Sequence, residues 1–549
     1  MPDPLKDLAQ LARMLMRLPV ETRAFATLVG AGMLGPERPD RLFAMYQALD
    51  RYGVMGAAVT AAAIRHGDRP ALSDDLGSLT YDQMERRSNA LANALRARGV
   101  GPGSGVGILC RNHRGIYDAS YAVLKLGGRA LYLNTDFSAP QAAEVCAREG
   151  VEALVYDEEF SDTVAKAKAP KGRFVAWTDD PSRCAGDGPT IESLITAGNP
   201  EPPSPPGVQG TVVILTSGTT GTPKGANRAN PRSLVAPAAI LSMIPFRSRE
   251  STFVASPVHH AWGLGISVLA LGLGSTIVVR RRFDPETTIV ALVEHRCSAL
   301  TLVPVILNRL LMAAGERIAS ADLSSLRIIA SSGAQLPASL ARGAMDAFGE
   351  IVYNLYGSTE VAWATIATPE DLRAAPGCAG RAPLGTTVRL YDDAGRRVPA
   401  GTVGRIFVGS GMEFGGYTGG GTKEVIDGLM STGDVGHFDE NSRLWVDGRD
   451  DEMIVSGGEN VFPREIEELL SAHEAIAEAA AVGVDDEEFG QRLKAFVVLR
   501  DGFELDEQAV KDHVRSNLAR YKVPREVVFV DELPRNPSGK ILKRELARP

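Results

Sequence analysis

Cysteine is scarce in this chain. The five present among 549 residues, Cys110, Cys146, Cys184, Cys297 and Cys378, form no CxxC pair and no metal-ligand spacing. That excludes a disulfide framework and a zinc-binding module, and it fits reduced thiols in a cytoplasmic protein. Charge of one sign is also lacking: 59 Lys and Arg stand against 67 Asp and Glu, a net −8, so there is no basic footprint for nucleic acid. No apolar run reaches the roughly 18 residues of a membrane-spanning helix. The start, Met1-Pro2-Asp3-Pro4, lacks the basic and apolar regions of a secretory signal. Leu5, Leu8, Leu11, Leu15 and Leu18 do recur at near-helical spacing. Such a stripe either packs on its own protein or touches a membrane surface, and contact at the inner face of the membrane stays open on this reading.

With 44% hydrophobic residues the chain can bury a large core and is expected to fold as more than one domain. Its organising stretch is Thr216-Ser217-Gly218-Thr219-Thr220-Gly221-Thr222-Pro223-Lys224-Gly225, directly after the apolar run Thr211–Leu215. Glycines let backbone N–H groups turn toward one point, hydroxyls add donors, and a lysine adds a mobile positive charge, which suits a polyphosphate. The spacing is not that of a Walker A loop, because Gly225 rather than Ser or Thr follows Lys224. The alternative is a solvated turn between strands. On these ten positions the chain resembles the adenylate-forming superfamily of acyl-CoA synthetases, peptide-synthetase adenylation domains and beetle luciferases.

Along the chain, residues 1–50 read as a helical leader ahead of the region that resembles the family. From Gly67-Asp68-Arg69-Pro70 onward, short strands such as Gly105–Cys110 and Arg129–Leu133 alternate with helical patterns such as Tyr81–Val100 and the helix from Ala139. That alternation predicts an α/β architecture with partly parallel sheets. The proline-rich 200–207 reads as an exposed connector, since it can hold neither helix nor central strand. Short strands at Val388–Tyr391, Gly404–Val408 and Arg443–Val446 predict a β-rich subdomain over about 380–447. The expected division is thus an AMP-binding domain over 51–449 and, after the charged break Arg449-Asp450-Asp451-Glu452, a small mobile α+β domain over 450–549.

Further motifs carry the resemblance. Asn354-Leu355-Tyr356-Gly357-Ser358-Thr359-Glu360 places a carboxylate near the phosphate loop, where it would repel ATP without an intervening cation. Glu360 is therefore read as a Mg²⁺ ligand, a role the resemblance also implies, with Thr216 as a second contact. Tyr356 offers a flat face for adenine, and Ser332-Gly333-Ala334 resembles the family's other adenine wall. In Ser431-Thr432-Gly433-Asp434 the resemblance gives Asp434 the ribose hydroxyls, with Arg449 adding a cation. His260, in Ser256-Pro257-Val258-His259-His260-Ala261-Trp262-Gly263, matches the acid-binding motif, although His259 stands where an aromatic is common. Trp262, Gly263 and Gly265, with the small apolar residues after them, would line an acyl pocket, or else serve tight helix packing. Gly457 and Gly458 resemble the loop that borders the CoA tunnel. Asp451 occupies the family's hinge position, and Lys540, in Asn536-Pro537-Ser538-Gly539-Lys540, matches its catalytic lysine.

The resemblance implies a two-step reaction: carboxylate and ATP give acyl-AMP and pyrophosphate, then the CoA thiol displaces AMP. ATP, Mg²⁺, CoA and a hydrophobic carboxylic acid are the expected small molecules, with a medium- to long-chain fatty acid favoured as the acid. A carrier-protein acceptor, another hydrophobic acid, a luciferase-like oxidase and a non-enzymatic lipid binder are the rivals. The last would have no use for Lys540, Glu360 and Asp434 together. A homodimer is left open.

Overall fold

The computed structural model describes residues 18–180, 188–216, 224–228, 233–412, 414–450, 454–456, 459–461, 463–486, 490–518, 522–536 and 539–547. Two large, mainly parallel sheets organise the first four hundred residues. One has eight strands, in the order Thr365–Ala367, Val352–Tyr356, Ile328–Ser331, Cys297–Leu302, Ser251–Val254, Thr276–Val278, Pro70–Asp74, Gly77–Thr80. The other has seven: Phe414–Tyr417, Lys224–Arg228, Thr211–Thr216, Arg129–Tyr132, Gly105–Leu109, Val151–Asp157, Arg173–Trp177.

Their inner strands read as apolar runs because both faces are covered. Successive side chains point to opposite faces, so Val212 and Ile214 join one buried cluster while Val213 and Leu215 join another. The first of these clusters also holds Leu72, Val254 and Ile328 of the eight-stranded sheet. A single core therefore ties the two sheets together.

The β-rich region is a five-stranded antiparallel sheet of Thr387–Tyr391, Gly404–Gly409, Leu429–Phe438, Val425–Ile426 and Leu444–Arg449. The ten-residue strand Leu429–Phe438 carries Ser431 to Asp434. A last sheet joins Glu459–Val461, Ile454–Ser456, Gly490–Leu499, Ile476–Asp486 and Glu526–Phe529, with helices Pro463–Ser471 and Glu507–Asn517 on its core.

The helix Pro39–His66 spans residue 50 and kinks three residues later, where Gly53 leaves helical geometry with φ 70° and ψ 174°. The proline connector is largely exposed, as its sequence suggests, but it is anchored. Pro203 and Pro206 are buried, the Tyr52 hydroxyl donates to Pro203 O at 2.9 Å, and Asn89 donates to Pro200 O at 3.1 Å. Proline carbonyls without neighbouring strand partners take side-chain donors instead.

Candidate active site

Four parts of the chain converge on one cavity of about 2700 Å³. The first is the hairpin Thr211–Thr216/Lys224–Arg228, in which Thr216 and Lys224 face each other across the ladder. Ser217, Gly218, Thr219, Thr220 and Gly221 lie outside the described residues, between these two strands. Lys224 lines the cavity, its Nζ 5.4 Å from the centroid of the Tyr417 ring.

The second part is the end of the strand Val352–Tyr356. A Cβ on Gly357 would stand 2.1 Å from the Ala362 carbonyl oxygen, so only glycine lets this turn close. The Ser358 hydroxyl accepts from the amides of Glu360 and Val361 at 3.2 and 3.4 Å. That fixes Glu360, which is buried yet lines the cavity and accepts from the Tyr417 hydroxyl at 2.7 Å. Thr359, Ser332, Gly333 and Ala334 line the same cavity. So does Asn354, whose buried Oδ1 has no partner.

The third part belongs to the β-rich sheet, where Asp434 and Arg449 stand opposite each other in register. Arg449 Nη1 lies 3.2 Å from Asp434 Oδ1, and the Tyr356 hydroxyl donates to Asp434 Oδ2 at 2.5 Å. Burial pushes the Asp434 carboxyl above the usual carboxylate range, while Arg449, the Tyr356 hydroxyl and the charge of Lys540 pull it back. The Tyr356 phenol is raised well above its ordinary value, first by burial and then by the Asp434 charge.

The fourth part is the C-terminal loop bearing Lys540. Asn536 organises it: the Asn536 amide donates to Lys540 O at 2.9 Å, and Asn536 Oδ1 accepts from the Lys540 amide at 2.8 Å. Gly539 has φ +78°, and a Cβ there would lie 2.5 Å from Val305 Cγ1. The loop is thus seated on the large domain with Lys540 directed into the cavity. Arg464 bonds the carbonyls of Val446 and Gly377, and Gln335 bonds Glu468 at 2.6 Å, across the same junction.

Beyond this centre the cavity turns apolar. Asn112 braces the turn before it, donating to Ser256 O at 2.9 Å and accepting from the Val258 amide at 2.8 Å. His259 and His260 follow, with ring centroids 4.4 Å apart. Burial lowers His260 to about 4 and drives His259 well below its ordinary value, so both rings are neutral near pH 7. His260 Nε2 has no partner and His260 lines the cavity. Trp262 and Gly265 line it as well. Gly263 instead faces the Pro257 carbonyl, 2.3 Å from where its Cβ would stand. Asp451, Gly457 and Gly458 lie outside the described residues.

The donor set suits ATP with a hard cation. One buried carboxylate, Glu360, reached by Tyr417 beside Lys224, matches the way Mg²⁺ takes one or two carboxylates plus substrate phosphates, and the orphaned Asn354 Oδ1 can accept from an exocyclic amine. Sequence reading missed Tyr417 and Asn112, since neither lies in a motif; each is defined by a partner distant in sequence.

The chain belongs to the AMP-binding enzyme family, the adenylate-forming superfamily that includes the acyl-CoA synthetases. The AMP-binding enzyme family matches residues 59–418 and the AMP-binding enzyme C-terminal domain matches residues 465–540. Enzymes of this family that ligate acids to CoA use ATP, Mg²⁺ and CoA. The chain is 35% identical to the feruloyl-CoA synthase of an Amycolatopsis species over 89% of its own length and 96% of that protein's. It is 30% identical to the long-chain-fatty-acid–CoA ligase FadD13 of Mycobacterium tuberculosis over 85% and 92%. Among solved structures, the amide bond synthetase McbA of Marinactinospora thermotolerans superposes with a TM-score of 0.77 at 28% identity, covering 90% of this chain and 99% of that one. Among the described residues, no helix is long and apolar enough to cross a membrane.

Proposed function

We propose that this protein joins a hydrophobic carboxylic acid to CoA through an acyl-AMP, releasing AMP and pyrophosphate. The observation that carries the reading is the single cavity in which Lys540, Glu360 and Asp434 meet at one end while neutral His260 opens onto apolar Trp262 and Gly265. Asp434, held by Arg449 and Tyr356, would accept from the two ribose hydroxyls. Lys224 and the loop after Thr216 take the β- and γ-phosphates. Glu360, with Thr216, would hold Mg²⁺, which offsets phosphate charge. The acid's carboxylate attacks the α-phosphorus, and pyrophosphate leaves. Lys540, which lines the cavity, would stabilise the negative charge that builds during that attack, and preorganised charge of this kind is a large catalytic contribution. Neutral His260 can orient the carboxylate without adding charge.

The second half-reaction needs the thiol of CoA at the acyl carbonyl. Reorientation of the C-terminal domain about Asp451, withdrawing Lys540 and bringing Gly457 and Gly458 to the pantetheine, is the proposed route. The apolar arm of the cavity favours a medium- to long-chain fatty acid. The likeness to a feruloyl-CoA synthase favours an elongated aryl acid as the second reading.

The deciding experiment incubates the protein with ATP, Mg²⁺, CoA and a panel from acetate to oleate plus ferulate, measuring AMP release and thioester. Acid-dependent AMP without thioester would move the acceptor from CoA to a carrier protein or an amine.

A further inference from the structure

The apolar arm is longer than the reacting centre requires, and its far end is built from residues that precede the family match at residue 59. The helix Ala261–Leu273 presents Trp262, Gly265, Leu269 and Gly272 on one face, and all four line the cavity. Gly265 and Gly272 are exposed in a helix whose other residues are buried or half-buried, so the bared face of the helix is the one along the cavity. From Trp262 to Gly272 this face spans roughly 15 Å.

The two glycines differ. A Cβ on Gly265 would meet nothing within 4 Å, whereas one on Gly272 would lie 3.0 Å from Met33 Cε. Met33 lines the cavity together with Met45, Leu49 and Met55 of the helix Pro39–His66. Met33 and Met55 also pack against the main core. The wall opposite the reacting end is thus largely thioether and aliphatic, a surface that adapts to chain-like or ring-like bodies.

We infer that the leader, together with the rest of the helix Pro39–His66 that continues it, is the length gauge of the acid site. Met33 stands as the stop behind Gly272, and an acid whose body passes that point must displace it. The acid class this selects is elongated and apolar, with its carboxylate at His260 and its distal end against the leader's methionines. This rests on the reading of the protein as an activator of hydrophobic acids, and it adds the residues that set the acid's length.

The test uses the full-length protein with Met33→Ala, Met55→Ala and Met33→Trp, and straight-chain acids from butanoate to octadecanoate plus ferulate. The readout is kcat/KM for each acid in the AMP-release assay, split into kcat and KM. One methylene in an apolar pocket is worth about 10-fold to 200-fold in discrimination. Met33→Ala is therefore expected to raise the long-to-short ratio at least about 10-fold, chiefly through KM, and Met33→Trp to lower it by a similar factor. If Met33→Trp does not fold, the two alanine variants still decide. A ranking of acids that stays as in the wild type in every folded variant overturns the inference while leaving the proposed reaction standing. A wild-type protein that releases no AMP with any acid overturns both.

Discussion

The hydroxyl of Tyr356 donates to Asp434 at 2.5 Å, and Arg449 holds the other carboxylate oxygen at 3.2 Å. Tyr356 ends a strand of the eight-stranded sheet, and Asp434 and Arg449 face each other in the β-rich sheet. The Tyr356 hydroxyl thus joins two sheets at the proposed ribose site, so the orientation of Asp434 depends on both.

Tyr356→Phe should therefore weaken ATP binding in particular. A hydrogen bond to a charged group contributes about 1.5–3 kcal/mol, so KM for ATP should rise about 10-fold to 100-fold while KM for the acid changes little. Steady-state kinetics with ATP and acid varied separately check this. An unchanged KM for ATP would make the contact one of sheet packing alone.

Lys540→Ala should separate the two half-reactions. Loss of one electrostatic donor costs about 10²–10³ in rate, which should appear in acid-dependent pyrophosphate exchange. Thioester formation from chemically prepared acyl-AMP and CoA should stay near the wild-type rate. Equal loss in both assays, with an intact circular dichroism spectrum, would rule out alternation of the C-terminal domain.

Gly539→Ala should mimic part of that loss without touching the lysine. The added Cβ would press on Val305 and the backbone holds a positive φ, so the loop should lift and pyrophosphate exchange should fall by at least about 10-fold. Val305→Ala in the same chain should restore some of the exchange by opening space. No recovery would place the whole effect in backbone strain.

Asp451→Pro tests the proposed pivot. Proline fixes φ, so one half-reaction should fall far more than the other when pyrophosphate exchange and thioester formation are measured side by side. A matched fall in both would move the pivot elsewhere.

Stability should decline on acidification between about pH 6.5 and 4. Burial lowers both His66 and His260 to about 4, below the ordinary value near 6.5. The unfolded chain then binds more protons than the folded one in that window. Stability is accordingly complete above it and lost as pH falls through it. Melting temperature against pH should show the slope, and His66→Gln should reduce it. A slope identical in His66→Gln would assign the acid sensitivity to other groups.

Much of the fold was legible because the buried strands are apolar and the turns between them rich in glycine, as at Thr211–Leu215 and Gly357. Asp434 and Lys540 stand out in the sequence because each sits in a short, glycine-marked motif, and the structure brings both to the cavity. What escaped depends on distance along the chain. Tyr417 reaches Glu360 from a strand 57 residues later, and nothing local in Phe414–Tyr417 announces a partner. The strand through Ser431 and Asp434 has no apolar alternation to mark it, because its residues are small and polar; pairing on both sides makes it a strand. The boundary at residue 50 rests on family resemblance rather than hydrophobic periodicity, and the helix Pro39–His66 kinks close to it, at Gly53.

The hold of Tyr52 on Pro203 bears on how the gene can be trimmed or spliced. A Cβ on Gly56 would stand 3.4 Å from the backbone of Leu124, so the helix packs on that segment, and Tyr52 clasps the connector that leads to the hairpin Thr211–Thr216/Lys224–Arg228. A clone started at residue 59, where the family match begins, would cut this helix in mid-course and release the connector on which the first hairpin strand depends. Chimeras that borrow an adenylating domain from this protein should therefore take their junction upstream of Met33, treating the leader as part of the catalytic body.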